Sequence, residues 1–245
     1  MMKSPCATNN IASMSKMPEG LDRCFYRKGA VLDRHQEIRL RMVRRLLKGC
    51  GGRALDYGCG YGDITHAVSP QFSDIVGVDV DEGRVQWANR EFSPLSFRVC
   101  QGDRVEFPDG AFQTVISIVV INWVHSPDAY IKEAHRLLAS GGALVISAAA
   151  PDRIRNLFRR ITGRPPADMG CWAVSLNDMR RLLQDHGFRI DRTDCFYDPL
   201  SEDFRSWKSF LNGLGRLPAR LAGSCGFAPY YGLRAIKEER MRDET

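Results

Sequence analysis

The sequence contains no apolar run near the roughly 18 residues that a membrane-spanning helix requires. Residues 1–16 also lack the apolar centre of a secretory signal peptide, so export is not expected and a cytoplasmic location is predicted. No stretch is repetitive or dominated by a few residue types, which excludes fibrous and wholly disordered classes. With 44% apolar and 26% charged residues, the 245-residue chain has the composition of a globular protein that can bury its own core.

Paired cysteines are missing as well. The eight cysteines stand singly, without a Cys-x-x-Cys pair or a neighbouring histidine at zinc-binding spacing, so no metal site is predicted. A chain of this size does not depend on disulfides for its stability, so reduced and mostly structural thiols are expected.

Negative charge is concentrated in the middle of the chain, although the net charge is +6. Residues 1–52 carry 11 basic and 4 acidic side chains, residues 53–150 carry 7 and 12, and residues 151–245 carry 17 and 13. An acidic central region does not suit a phosphate-rich ligand, and no nucleic-acid-binding module is recognisable, so no nucleic-acid partner is predicted. The central region suits a ligand that carries positive charge.

Apolar runs alternate with helical patterns from residue 33 to residue 148, which predicts a parallel sheet with right-handed crossovers. Predicted strands cover residues 53–57, 74–80, 96–100, 114–120, 143–148, 188–196 and 232–236. Predicted helices cover residues 33–48, 63–68, 82–91, 127–139 and 176–187. No linker clearly divides the chain. We expect an arm at residues 1–32 and one domain at 33–245, with its core at 53–150 and a substrate cap from 151–175 and 198–228.

The strand at 53–57 runs directly into a turn with glycine at alternate positions, Gly58, Gly60 and Gly62. Such a turn lets the backbone bend tightly and approach a ligand closely. A dinucleotide-binding turn has the pattern Gly-x-Gly-x-x-Gly, but its third glycine is missing here from either starting point. Asp56 lies in the same turn, where its carboxylate would repel a pyrophosphate and attract an ammonium or sulfonium group. The turn therefore favours a cationic ligand.

Two further acidic residues follow the next predicted strands. Asp79 ends the second strand, near the spacing at which an acidic residue accepts hydrogen bonds from ribose hydroxyls. Asp103 follows the third strand, where a carboxylate can accept a hydrogen bond from an adenine amino group. Because open α/β sheets bind ligands at the carboxyl ends of their strands, the acids are expected to share one site.

Between residues 53 and 147 the sequence resembles the class I S-adenosylmethionine-dependent methyltransferases, particularly their small-molecule group. The resemblance rests on LDYGCGYG at 55–62, VD at 78–79, GD at 102–103, FPDGAF at 107–112 and EAHRLLASGGALVI at 133–146. It implies an α/β, Rossmann-like fold with a seven-stranded, mostly parallel sheet, an antiparallel last strand and helical insertions. It also implies S-adenosyl-L-methionine as the cofactor.

The resemblance assigns roles to single residues. It implies that Asp56 and the glycine turn hold the methionine part of the cofactor and that Asp79 binds the ribose. Asp103 and its neighbour Arg104 would flank the adenine. Two further residues are expected to contact the cofactor: Val80 and Ser117.

The segment after the fourth strand departs from the family pattern. Members often carry Leu-Glu-His-Val there, whereas this chain has Ile-Asn-Trp-Val at 121–124, so the usual pair for proton abstraction is missing. In-line attack on an activated methyl group needs a base chiefly when the acceptor is a neutral hydroxyl. His125 is the nearest imidazole and our candidate base; the alternative interpretation is a plain surface or helix-capping histidine.

We predict a methyltransferase that acts on a small or lipophilic acceptor, with quinones and other lipids as candidates. Basic stretches with apolar residues at helical intervals lie at 34–48, 153–161 and 205–217. They form either packed helices with solvated arginine faces or a surface that contacts anionic lipid, through Leu157, Phe158, Trp207 and Phe210. Two other functions stay open: quinone modification without methylation, as in rhodoquinone synthesis, and a non-catalytic module that binds S-adenosylmethionine.

Overall fold

A computed structural model of the protein describes residues 34–101, 104–150, 173–196 and 230–239. Several predicted features lie outside the described residues: the arm at 1–32, nearly all of the substrate cap, Asp103, and the basic stretches at 153–161 and 205–217. The described residues form a sheet with helices on both of its faces.

Seven strands form one sheet in the order β3-β2-β1-β4-β5-β7-β6. The strands are β1 (Arg53–Tyr57), β2 (Asp74–Asp79), β3 (Ser96–Val99), β4 (Phe112–Ile118), β5 (Leu138–Ala149), β6 (Phe188–Phe196) and β7 (Tyr230–Lys237). The first five pair in parallel, whereas β7 is antiparallel to both β5 and β6. The mostly parallel sheet with an antiparallel last strand, predicted from the sequence, is confirmed.

The helices cover both faces because the side chains of each strand alternate between them. The described helices are α1 (Arg34–Leu46), α2 (Asp63–Val68), α3 (Glu82–Glu91), α4 (Pro127–Leu137) and α5 (Leu176–Asp185). Leu55 of β1 belongs to a buried apolar cluster with Ile131 of α4 and Met179 of α5. Its neighbour Ala54 faces the other way, into a cluster with Val43 of α1.

Some element ends differ from the prediction, and β5 differs most. The sequence predicts a helix to residue 139 and a strand from 143, but α4 ends at Leu137 and β5 begins at Leu138. Leu138 is extended and pairs with Phe112 of β4, so the strand passes through the glycine pair that was expected to separate the elements. The fourth strand accordingly lies at 112–118 rather than 114–120, and β2 and β3 each end one residue early.

The first basic stretch is a packed helix with a solvated arginine face. The side chains of Met42, Val43 and Leu46 are buried in the core, while Arg41 and Arg44 are exposed. This agrees with the simpler of the two interpretations given for that stretch. Among the helices that the structure describes, none combines the length and the apolar character needed to cross a membrane.

Candidate functional site

A cleft lies where the strand order of the sheet reverses. β1 has β2 on one side and β4 on the other, and such a reversal leaves a crevice beyond the carboxyl ends of the strands. The cleft is open to solvent. Its lining residues are Gln36, Arg39, Asp56, Gly58, Cys59, Asp63, Ile64 and Ile118.

The turn between β1 and α2 has a backbone that only glycine adopts readily. Gly58, Gly60 and Gly62 have φ values of 87°, 56° and 81°, in the left-handed region. The amides of Gly58 and Cys59 both donate to the Val78 carbonyl oxygen, at 2.8 and 2.9 Å. The turn is thereby fixed against the end of β2.

Close packing makes glycine necessary in this turn for a second reason. A Cβ atom at Gly58 would lie 2.4 Å from a methyl carbon of Val120, which follows β4. One at Gly62 would lie 2.7 Å from the ring of Phe97 in β3. Contacts this short do not occur between real carbon atoms, so the backbone of the turn runs nearer to its neighbours than any other residue type would permit.

Asp56 is buried at the floor of the cleft. Its side chain is 2% exposed, and the hydroxyl of Thr65 in α2 donates to its Oδ2 atom at 2.6 Å. The pKa of the Asp56 carboxyl is raised to about 7, because burial and, to a smaller degree, the nearby charge of Asp79 outweigh the hydrogen bond from Thr65, which lowers it. A cation bound in the cleft would therefore stabilise the ionised form of Asp56.

Asp79, at the end of β2, connects the glycine turn to the start of α3. Its Oδ2 atom accepts from the Gly60 amide at 2.8 Å and its Oδ1 atom accepts from the Asp81 amide at 3.0 Å. The residue is 8% exposed, so these bonds hold the carboxylate in one orientation. The structure thus brings Asp56 and Asp79 together on neighbouring strands, as the sequence predicts.

The other predicted cofactor residues are distributed around this centre. Val80 is 58% exposed beside Asp79, a position in which an apolar side chain can contact a nucleoside base. Arg104 is exposed after β3, next to Asp103, which lies outside the described residues. Ser117 is fully buried in β4, and its hydroxyl lies 2.9 Å from the phenol oxygen of Tyr130 in α4. The structure therefore gives the Ser117 side chain a buried partner on the opposite side of the sheet from α1.

The cleft residues that come from α1 are not among those predicted from the sequence. Arg39 lies in the stretch 34–48, for which the sequence predicts a solvated arginine face or a lipid-contacting surface, but its side chain is 3% exposed, and its Nε and Nη2 atoms have no hydrogen-bond partner among the described residues. A signal was present, because Gln36 and Arg39 precede the buried Val43 and Leu46 at helical spacing and so share their face. Polar residues on an apolar stripe indicate a ligand or a buried partner.

Asp63, the first residue of α2, was also missed. It lines the cleft, and the pKa of its carboxyl is raised to about 6, because burial and the charge of Glu91 outweigh a backbone hydrogen bond and the charge of Arg39, which lower it. The cleft therefore holds two carboxyls with raised pKa values and one buried guanidinium.

The loop after β4 carries the candidate base. His125 is exposed, between the end of β4 and the first residue of α4. Asn122 replaces the expected acidic residue and is fully buried, where its amide exchanges hydrogen bonds of 3.0 and 2.9 Å with the backbone of Ala149. Val119 has a φ of 63° and donates its amide to both the hydroxyl and the carbonyl of Ser147. The loop is therefore firmly held.

The charges of the cleft fit an S-adenosyl sulfonium compound better than a pyrophosphate. Two buried carboxylates stand at the ends of β1 and β2, where a phosphate would be repelled and a sulfonium or ammonium group attracted. In the part of the chain that the structure describes, no group of three histidine, cysteine or acidic side chains is placed to hold a metal ion.

Comparisons with known proteins agree with this geometry. A family model described as a methyltransferase domain matches residues 31–193. The malonyl-[acyl-carrier protein] O-methyltransferase of Paenibacillus sp. (strain JDR-2) is 25% identical over 232 residues, which cover 84% of this chain and 83% of that protein. The demethylmenaquinone methyltransferase of Tropheryma whipplei (strain Twist) is 26% identical over 140 residues, or 55% of this chain and 58% of that protein.

A solved structure shows the same fold. Magnesium protoporphyrin IX methyltransferase from Synechocystis PCC 6803, with bound SAH, aligns with a TM-score of 0.59 over 88% of this chain and 92% of that chain. The sequence identity is 18%, so this likeness concerns the fold alone. The fold of the described residues is thus a known architecture.

Proposed function

We propose what kind of molecule this protein methylates, starting from its family: the chain belongs to the methyltransferase domain family. It is an S-adenosylmethionine-dependent methyltransferase, and we propose that it methylates a small or lipophilic molecule. The observation that supports the cofactor assignment is the buried pair Asp56 and Asp79 around the glycine turn. This pair and the turn leave a cationic nucleoside as the best ligand for the cleft.

We assign the parts of the cofactor to the residues of the cleft as follows. Asp56 and the turn from Gly58 to Gly62 hold the methionine part, and Asp79 binds the ribose. Each Asp79 oxygen accepts one backbone amide and keeps a lone pair for a ribose hydroxyl. Val80 and Arg104 contact the adenine. When bound, the cofactor supplies a methyl group activated on a sulfonium sulfur; the chain aligns the attacking atom with it and excludes water.

The acceptor decides whether a base is needed. A neutral hydroxyl must lose its proton as the new bond forms, and we propose His125 as the group that takes it. A carboxylate is already ionised and needs no base. Relatives named for a malonyl group and for a demethylmenaquinone support small or lipid-linked acceptors.

Product analysis tests the proposal. The purified protein is incubated with S-adenosylmethionine and with fractions of organic acids, acyl thioesters and quinones, and the masses of the products are measured by mass spectrometry. A gain of one methylene in a single acceptor, absent with Asp56→Asn, is the expected result. The same comparison in cell extracts with and without the gene identifies the natural acceptor. A product with another mass change would support quinone modification without methylation and contradict the proposal.

The lipophilic class of acceptor also motivates a proposal about location. We propose a cytoplasmic enzyme that meets the membrane surface through the basic amphipathic stretches at 153–161 and 205–217, which lie in the segments predicted to cover the acceptor. Co-sedimentation with anionic phospholipid vesicles tests this, with neutral vesicles as the control. Binding to anionic vesicles that salt removes is expected; equal or absent binding to both kinds contradicts it.

A further inference from the structure

The chain that leads from β3 to β4 is attached to α4 through two charged side chains, Glu133 and Arg136. The amide of Val105 donates to Glu133 Oε1 at 2.9 Å, and Arg136 Nη2 donates to the Val105 carbonyl oxygen at 3.0 Å. Arg136 Nη1 also donates to the Phe107 carbonyl oxygen at 2.8 Å and to Asp109 Oδ1 at 2.7 Å. Two residues one helical turn apart thus hold both backbone groups of Val105 and the chain that follows it.

The two side chains also bind each other. Arg136 Nε donates to Glu133 Oε2 at 2.8 Å, and Arg136 Nη2 donates to Oε1 at 2.7 Å, which is the bidentate geometry of a strong guanidinium–carboxylate pair. The Glu133 side chain is 8% exposed and that of Arg136 is 21% exposed. Because the pair is bidentate and largely shielded from water, it fixes the backbone of Val105 more firmly than a surface ion pair would.

The backbone that this pair fixes borders the proposed adenine end of the cofactor site. Val105 directly follows Arg104, which we assign to the adenine. Before Arg104, the Cys100 amide donates to the Asp79 carbonyl oxygen at 2.9 Å, and an antiparallel bridge joins Gln101 to Arg104. Arg104 is therefore held between two attachments, one to the strand end that binds the ribose and one to α4.

We propose that Glu133 and Arg136 are positioning residues that set the selectivity of the site for adenine, without touching the cofactor themselves. The proposal rests on the proposed function and deepens it, because it concerns the base of the same cofactor. Adenine carries an amino donor and an unprotonated ring nitrogen on one edge, where hypoxanthine carries an oxygen and a protonated nitrogen. A protein edge distinguishes these two patterns when its own donors and acceptors are held in place, and the pair on α4 supplies that hold.

Selectivity between the two bases is measured by calorimetry. The ligands are S-adenosylhomocysteine and S-inosylhomocysteine, of which the second carries hypoxanthine in place of adenine. The first variant, Arg136→Met, removes the ion pair and the bonds to the backbone. The second, Arg136→Lys, keeps a positive charge for Glu133 but lacks the fork of donors that reaches two carbonyl oxygens.

The matched control, Arg234→Met, removes a similar pair at the other end of the sheet. Arg234 on β7 pairs with Asp191 on β6 and donates to the carbonyl oxygens of Leu46 and Lys48. Like Arg136, it combines an ion pair with two backbone carbonyls, but β7 and β6 lie at the end of the strand order opposite to β3. This variant should lose stability and leave the selectivity between the two bases unchanged.

The wild type should bind S-adenosylhomocysteine at least about tenfold more tightly than S-inosylhomocysteine, because the wrong base leaves polar groups of the site unpaired. Arg136→Met should reduce this ratio to about threefold or less, and Arg136→Lys should give an intermediate ratio. Urea denaturation of each protein accompanies the titrations. Since Arg136→Met and Arg234→Met should both lower the free energy of unfolding, reduced stability by itself does not account for a ratio that changes in only one of them.

A wild-type ratio in Arg136→Met overturns the proposal, and so does a wild type that binds both ligands equally. Equal loss of the ratio in Arg234→Met also overturns it, because general destabilisation would then be the cause. If Arg136→Met does not fold, Arg136→Lys decides: a reduced ratio supports the proposal and an unchanged ratio overturns it. If the wild type binds neither nucleoside, the proposed function itself fails.

Discussion

Acidification should weaken cofactor binding chiefly through one buried carboxyl, that of Asp56. Burial raises the pKa of Asp56 to about 7, and only the ionised form attracts a cation. The ionised fraction falls from about three quarters at about pH 7.5 to about 3% at about pH 5.5, and the apparent dissociation constant rises in inverse proportion. The affinity for S-adenosylmethionine should therefore fall about 25-fold between these two pH values.

The surroundings of Asp56 set the direction of this effect. Thr65 donates a hydrogen bond that favours ionisation, while burial and the charge of Asp79 oppose it more strongly. Asp63, on the same cleft, has a pKa raised to about 6, so it steepens the loss of affinity below that pH.

Isothermal titration in buffers of different ionisation enthalpy measures both the affinity and the protons released. Near pH 6, each binding event should release close to one proton, because the cation displaces the proton of Asp56. The ligand 5′-methylthioadenosine has no amino-acid end and no sulfonium, so its affinity should not change with pH. Asp56→Asn should bind S-adenosylmethionine weakly and lose most of the pH dependence. Wild-type affinity that stays constant from about pH 7.5 to 5.5, with no proton release, refutes the reasoning.

Four further predictions concern stability and the acceptor. The folded pKa of Asp56 lies above its ordinary value of 3.8, so folding stability falls as pH rises from about 4 to 7, and Asp56→Asn should raise the unfolding free energy at about pH 8 by up to about 4 kcal/mol in urea denaturation. Gly58→Ala should abolish cofactor binding and lower the free energy of unfolding by at least about 1–2 kcal/mol, because the φ of Gly58 is 87° and an added Cβ would clash with Val120. Gly51→Ala should change neither property, because no atom lies near the position of its Cβ. Arg136→Met should lower the free energy of unfolding by roughly 3 kcal/mol, since it leaves the buried Glu133 carboxylate without its ion-pair partner. His125→Gln should slow methylation of a hydroxyl acceptor about 100-fold and leave a carboxylate acceptor unaffected; equal slowing of both would show that His125 is not the base.

Much of the fold follows from the sequence because each element carries a local signal. The strand Arg53–Tyr57 and the helices Asp63–Val68 and Glu82–Glu91 have the predicted bounds, since apolar runs alternate there with turn and capping residues. The start of β5 could not be predicted in this way. Pairing with Phe112 extends the strand through a glycine pair, and pairing between distant segments leaves no local pattern.

The residues of the site also differ in whether the local sequence reveals them. Asp56, Asp79 and the glycine turn are recognisable because the carboxyl ends of parallel strands must meet at one edge of the sheet. The burial of Arg39 is not predicted from the sequence, because arginine is nearly always solvated. Only its place on the apolar stripe of α1 distinguishes it from Arg41 and Arg44. The buried partner of Ser117 was equally hidden, since Tyr130 comes from the helix packed against that strand.

The direct test of the central claim is calorimetry on the wild-type protein with S-adenosylmethionine and NAD in separate titrations near neutral pH. Buried carboxylates at the ends of two neighbouring strands should admit the sulfonium compound, with micromolar affinity, and reject the pyrophosphate. Heat of binding from NAD, with none from S-adenosylmethionine, would contradict the account.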